Sequence, residues 1–522
     1  MRLAICLAVC LALVAPGMTA AAGKGSNPTI VATANGRLRG VAAKGVYAFK
    51  GVHYGADTGG ANRFMPPAPV ARWQGVKAAT ADGDRCPQPP LNGLRTTPQV
   101  ILFSDLPVSE DCLVLNVWTP KPDHGKRPVM VFLHGGAFAF GSGSDKYYEG
   151  SNLARTQDVV VVTLNHRVNA FGYMPMGPDA GPQYAASGNN GMLDIVAALK
   201  WVKANIAAFG GDPSNVTIFG QSGGGGKVST LLAMPAARGL FQKAIIESGA
   251  DLVVSTAEDG LAQRDKVLAA LGLKPGDWAK LRDVPMKDLI AAATKAGLLS
   301  FRPQVDGMVL MRQPFEPDAP PSAKGVPLMI GFAHDEATDL LIVDPSWPST
   351  TEEALAMKAK LLAGAERGPA AIAMYRARSP GDEPKHILAS IVTDMTFGHK
   401  TLALAERKAA QAGAPVFVYR IDWKSPVLDG VLRAPHGVEL AFVFDNVADS
   451  AEIVGAGGSQ DRMAAMMSAM WASFARTGNP SVAGYPAWPA YDVEHRQTYL
   501  FDDPPRVAND PDPEVRLFWN RP

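Results

Sequence analysis

Gly220-Gln221-Ser222-Gly223-Gly224 constrains this chain more than any other stretch, because of what flanks it. The β-rich run Val216-Thr217-Ile218-Phe219 ends just before it, and Lys227 to Met234 has the composition of a helix after it. A serine set between a strand and a helix must sit on a sharp, strained turn, and only small neighbours let its hydroxyl project. Gly220, Gly223 and Gly224 meet that need. The pattern occurs once in the chain and makes Ser222 the candidate nucleophile. A serine that attacks a carbonyl also needs N–H donors for the developing oxyanion. Gly223 supplies one. His134-Gly135-Gly136-Ala137-Phe138, following the apolar run Val129–Leu133, supplies the others through Gly136 and Ala137.

Other apolar runs match the strand before Ser222. Val129–Leu133, Val159–Leu164 and Ala244-Ile245-Ile246 are continuous rather than alternating, which implies strands covered on both faces. Helix-like stretches separate them. In Asn190–Phe209 the apolar residues Leu193, Val196, Ala197, Trp201 and Ile206 recur at helical spacing, and Gly210-Gly211-Asp212-Pro213 stops the pattern. This alternation predicts an α/β protein with a large, mostly parallel sheet and helices on both faces. Pro87–Pro90, Pro317–Pro321 and Gly455–Gly458 read as loops rather than linkers, so residues 23–522 form a single domain by this reading.

The first 22 residues read as a removable export signal. Arg2 precedes an apolar run from Leu3 to Ala15, and Thr19-Ala20-Ala21-Ala22 offers small residues for cleavage. The run is too short for a membrane helix, which needs about 20 residues. The expectation is a periplasmic or secreted protein without an integral membrane segment. Cys6 and Cys10 leave with the signal, and the remaining pair, Cys86 and Cys112, favours a disulfide in an exported protein. On the chain-entropy model such a bridge removes roughly 3.5 kcal/mol of unfolded-state freedom. The chain carries 50 basic and 49 acidic residues without charge runs, which argues against nucleic acid or an anionic membrane as partner. No Cys/His metal cluster or phosphate loop stands out, so neither metal nor cofactor is expected.

Many of these stretches resemble the type-B carboxylesterases, the α/β-hydrolase group that also holds the cholinesterases. The resemblance rests on Glu110 to Trp118, His134 to Phe138, Asn165-His166-Arg167, Gly188 to Asp194 and Trp201 to Gly224. It continues through Glu247-Ser248-Gly249, Asp306-Gly307, Asp335-Glu336, His436-Gly437-Val438-Glu439-Leu440 and Trp471 to Pro480. It implies a serine hydrolase of carboxylic esters, with Ser222 as nucleophile, Glu336 as acid and His436 as base, in the chain order this fold uses. Asp335 is the competing acid. The resemblance further implies a supporting Ser248 near the triad and a Cys86–Cys112 bridge. Asp194 and Asp212 read as structural, and His134 and His166 as residues that orient loops. Asn215-Val216-Thr217 is formally a glycosylation sequon but enters a buried strand.

Departures from the family bear on substrate. Gln221 and Gly223 stand where the family commonly has Glu and Ala, which removes a negative charge beside the nucleophile. Between Cys86 and Cys112 there is Phe103 but no Trp or Tyr, so the aromatic that would hold a quaternary ammonium is missing. Uncharged esters are the expected substrates. An amide or peptide hydrolase with the same triad, or a non-catalytic binding protein on the same scaffold, are the alternatives.

Overall fold

The computed structural model describes residues 29–90 and 103–520; the expected export signal lies outside them. Its centre is an eleven-stranded sheet. In chain order the strands are β1 (Val41–Ala43), β2 (Val46–His53), β3 (Val114–Thr119), β4 (Arg127–Leu133), β5 (Val160–Leu164) and β6 (Gly211–Gln221). They continue with β7 (Lys243–Glu247), β8 (Leu328–Ala333), β9 (Val416–Ile421), β10 (Gln497–Phe501) and β11 (Arg506–Asn509). Across the sheet the order is β11-β10-β9-β8-β7-β6-β4-β5-β3-β2-β1. The strands from β10 to β5 pair in parallel, and the antiparallel pairs lie at the two edges. This is the mixed, mostly parallel sheet the sequence predicts.

Each central strand divides its side chains between two cores. Val129, Val131 and Leu133 of β4 join the core on one face, and Met130 and Phe132 that on the other. Both faces are apolar, which is why the run reads as continuous. On the first face lie α1 (Asn190–Asn205) and α2 (Gly223–Ala233). Also there are α3 (Ala257–Ala270) and α4 (Met286–Gly297). A lobe around Trp347, Leu355 and Ile387 packs near α5 (Ala337–Leu341) and α6 (Pro384–Thr393). A π-helical turn, Asp394–Gly398, joins α6 to α7 (His399–Ala409). The second face is covered by α8 (Glu439–Val443) and by α9 (Gly458–Thr477), whose Met463, Met467, Trp471 and Phe474 point into the sheet.

Two boundaries differ from the sequence expectation. The helix after Gly188-Asn189 is α-helical only to Asn205; Ile206–Phe209 tightens into a 3₁₀ turn that Gly210 closes at φ +84°. The helix after Ser222 begins at Gly223 rather than Lys227. Four successive glycines each weaken a helix by about 1 kcal/mol relative to alanine, so propensity alone places the start too late. Packing overrides it: a Cβ on Gly224 would lie 2.0 Å from the Leu133 carbonyl oxygen. Cys86 and Cys112 are bonded to each other and both are buried.

Candidate active site

β6 delivers Ser222 to the C-terminal edge of the parallel block, where its backbone takes φ +58°, ψ −124°. Such a conformation costs roughly 1–3 kcal/mol and persists only if neighbours enforce it. They do: the Ser222 N–H donates to Glu247 O on β7 at 2.8 Å, and its carbonyl accepts from Gly226 N–H at 3.1 Å. The neighbouring strand β4 ends in the loop 134–138. There Gly136 sits at φ +76° and Ala137 at +52°. A Cβ on Gly223 would lie 2.0 Å from Ala137 O, so the two backbones are in direct contact. The structure therefore brings Ala137 and Gly223, two of the expected oxyanion donors, together beside Ser222, with the third, Gly136, preceding Ala137 in the same loop.

Glu336 and His436 come from separate segments. Glu336 follows β8 at the start of α5, fully buried, and its Oε1 accepts the Ala333 N–H at 2.7 Å. Its Oε2 binds His436 Nδ1 in a short hydrogen bond. Asp335 turns elsewhere, to His334 Nδ1 at 3.0 Å and toward Arg433 at 3.7 Å. Burial opposes its charge, but His334 and Arg433 outweigh burial and hold its pKa below the ordinary value. The choice between the adjacent acids is thus made by contact.

The His436 ring is flanked by Gln221, the chain neighbour of Ser222, and by Phe397. The Gln221 amide nitrogen lies 3.2 Å from its Nε2 and 3.4 Å from its Nδ1. Phe397, on the π-helical turn, packs at 4.8 Å between centroids. Burial disfavours the imidazolium, but Glu336, with Glu439 and Asp339 behind it, outweighs burial and raises the His436 pKa. Ser222, Ala137, Phe138, Thr396 and Phe397 line one open cleft of about 180 Å³, with Arg302 and Lys400 on its wall. A larger hollow of about 460 Å³, between Pro66–Val70 and α1, contains neither Ser222 nor His436.

Ser248 is expected near the site from the resemblance, whereas the burial of Glu247 and Glu439 is seen only in the fold. Ser248, at φ +49°, donates to Glu439 Oε1 at 3.4 Å. Burial, then the nearby Glu336, pushes Glu439 up to about 8. Burial and Glu439 also raise Glu247 well above the carboxylate range, and its Oε1 accepts Trp471 Nε1–H at 2.5 Å. Glu439 lies three residues after His436 in a quoted motif, so its place was visible; its buried, protonated character is not. Gln221 was noted for its missing charge, and its contact with His436 is a finding of the fold. His134 stacks on His166 at 4.4 Å, nearly parallel. Burial, aided by Lys227, lowers His134 to about 3, so both rings serve as neutral loop supports. Asp194 pairs with the buried Arg167, and Asp212 accepts from the Ser214 N–H and hydroxyl in a turn. The Asn215 side chain is engaged by Lys243.

The carboxylesterase family model matches residues 27–519. The chain belongs to the carboxylesterase family. It is a carboxylic ester hydrolase with the α/β-hydrolase fold. The para-nitrobenzyl esterase of Bacillus subtilis is 38% identical over 503 residues, covering 93% of this chain and 97% of that protein. The phenmedipham hydrolase of Pseudarthrobacter oxydans is 32% identical, with 94% and 97% covered. The solved carboxylesterase EST55 of Geobacillus stearothermophilus superposes with a TM-score of 0.83 at 39% identity, covering 94% of this chain and all of that one.

Proposed function

We propose that this carboxylesterase acts through an acyl-enzyme on Ser222. In that reading His436 takes the Ser222 proton as Oγ bonds to the ester carbonyl carbon, and the tetrahedral oxyanion rests on the N–H groups of Gly136, Ala137 and Gly223. The C–O bond to the alcohol then breaks, and His436 returns the proton to the departing alkoxide. Water repeats the cycle: His436 accepts its proton, hydroxide adds to the acyl carbon, and the Ser222–acyl bond breaks to release the acid as His436 returns the proton to Ser222 Oγ. Glu336 fixes the imidazole orientation and stabilises its charged form. The observation that carries this reading is the Glu336–His436 contact, set beside the strained serine turn and the glycine-lined loop.

The wall of the cleft supports uncharged esters. Gln221 puts no carboxylate beside Ser222, and Asp251 is held by Arg302 through two contacts of 2.8 Å. A cationic alcohol therefore meets no available carboxylate there. The buried disulfide and the N-terminal segment together support export to an oxidising periplasmic or extracellular compartment.

Turnover of p-nitrophenyl esters of graded acyl length, with Ser222→Ala as control, tests the proposal. Loss of the nucleophile is expected to lower kcat by roughly 10⁵–10⁶-fold. An organophosphate should label wild type once per chain and leave the variant unlabelled. Equal turnover by the two proteins would refute the assignment.

A further inference from the structure

Lys227 sits on the second turn of α2 with none of its surface exposed. A lysine is rarely buried without a carboxylate, because the ammonium loses its hydration. Here no carboxylate among the described residues lies within ion-pair distance of its Nζ. The nearest acid that bears on it, Asp251, is engaged by Arg302. Instead Nζ donates to two backbone carbonyls, His134 O at 3.0 Å and Ala137 O at 2.7 Å, and lies 5.1 Å from the Phe138 ring centroid.

Those two carbonyls bracket the segment that holds the oxyanion donors. Gly135 and Gly136 lie between them, and the Ala137 N–H belongs to the peptide just before the second. Both Gly136 and Ala137 have positive φ; glycine takes that shape freely, but Ala137 is strained in it and needs neighbours to hold it. The Ala137 carbonyl that accepts from Lys227 also lies against Gly223, so two residues of α2, Gly223 and Lys227, touch the loop. Since Ser222 begins that same helix, nucleophile and donors are referenced to one rigid element.

We propose that Lys227 is the positioning residue of the oxyanion hole, its side chain clamping the loop 134–138 so that the Gly136 and Ala137 N–H groups face the Ser222 adduct. The proposal rests on the acyl-enzyme reading above. Displacement of catalytic groups by about 1 Å can cost up to 10²-fold, so a loosened loop is expected to act on kcat rather than on ground-state binding.

The test compares wild type with Lys227→Met, which keeps the stem and removes the donors. It measures kcat and KM for p-nitrophenyl butyrate, and inhibition by an alkyl trifluoromethyl ketone and its methyl ketone counterpart. The first ketone adds to the serine and places an oxyanion in the hole; the second reports ground-state binding. K227M is expected to lower kcat by about 10- to 100-fold with KM little changed, and to weaken the trifluoromethyl ketone by a like factor. Methyl ketone binding should stay as in wild type. Lys227→Gln, with a shorter stem that still ends in N–H donors, should recover part of the loss and replaces K227M if that variant does not fold. Undiminished trifluoromethyl ketone affinity in a folded variant overturns the proposal, as does equal loss of both ketones. If both variants fail to fold, Lys227 is a core strut and the proposal also falls. Wild type that neither turns over the ester nor binds the fluorinated ketone would overturn the acyl-enzyme reading itself.

Discussion

The two sides of the Ser222 cleft are built from opposite charge types. Behind His436 lie carboxyl groups: Glu336, Glu439, Glu247 and Asp339, all buried. Behind the oxyanion loop lie bases: Lys227, His134 and His166, equally buried. On both sides burial drives groups toward their neutral forms. It raises Asp339 to about 6 and Glu439 to about 8, and lowers Lys227 to about 7 and His134 to about 3. At His436 burial loses, because Glu336 is in direct contact. The arrangement suits the proposed reaction: a base that must become a cation faces carboxyl groups, and a carbonyl oxygen that must become an anion would do so beside donors anchored by an amine.

Breaking the acid side should have the largest effect. Glu336→Gln removes the charge that orients and stabilises the imidazolium and is expected to cost about 10⁴-fold in kcat, by analogy with serine triads elsewhere. Asp335→Asn is the control that sharpens the contrast. It breaks the buried pairing with His334 and Arg433, so it should lower stability by about 1–3 kcal/mol in chemical denaturation while largely retaining kcat. Comparable kcat losses in the two variants would remove the distinction between the neighbouring acids.

The pH dependence gives a finer measure. In the proposed mechanism His436 must be neutral to accept the serine proton, so kcat/KM should fall on acidification, with a midpoint above the ordinary histidine value because that pKa is raised. Glu439 acts on stability with the opposite sign to a carboxylate whose pKa is lowered by folding. Its folded-state pKa of about 8 exceeds the unfolded value, so the folded state holds a proton the unfolded chain releases. Its contribution to stability is full below the unfolded value and declines as pH rises from there through about 8. Glu439→Gln imitates the protonated form, so at neutral pH it should leave kcat within about threefold, while flattening the alkaline fall in stability. A midpoint for kcat/KM below the ordinary histidine value would undo the electrostatic account of the acid side.

The same contrast separates what the sequence reveals from what it conceals. The strands were legible because a parallel sheet covered on both faces needs runs such as Val129–Leu133. The serine turn was legible because strand, small residues and helix follow one another locally. Glu336 and His436 were reached through motifs of the resemblance; lone acids and histidines have no local signature, and only the fold shows which of two adjacent acids meets the imidazole. The start of α2 was misplaced because its glycines serve contacts with Leu133 and Ala137, distant in sequence. The burial of Lys227 and Glu439 is not marked in the sequence, because burial is a property of the folded chain. The export segment lies outside the described residues, and its reading rests on the sequence.

The smallest expected effects concern groups that touch the acid side without carrying charge. Phe397 packs on His436 from a π-helical turn, a geometry that aims one side chain out of an otherwise regular helix. An aromatic contact of this kind is worth about 0.5–1.5 kcal/mol, so Phe397→Leu should lower kcat by roughly two- to tenfold, read in initial rates on a short-chain ester. Ser248 should matter less. Its hydroxyl reaches Glu439 only at 3.4 Å, a weak bond, and Glu439 rather than the substrate receives it. Ser248→Ala is expected to keep kcat within about threefold. Removing that bond also removes a term that lowers the Glu439 pKa, so the alkaline fall in stability should move to higher pH. A kcat loss in S248A as large as that in E336Q would mean that Ser248 takes part in the proton transfer itself, and the acid side would then have two working members rather than one.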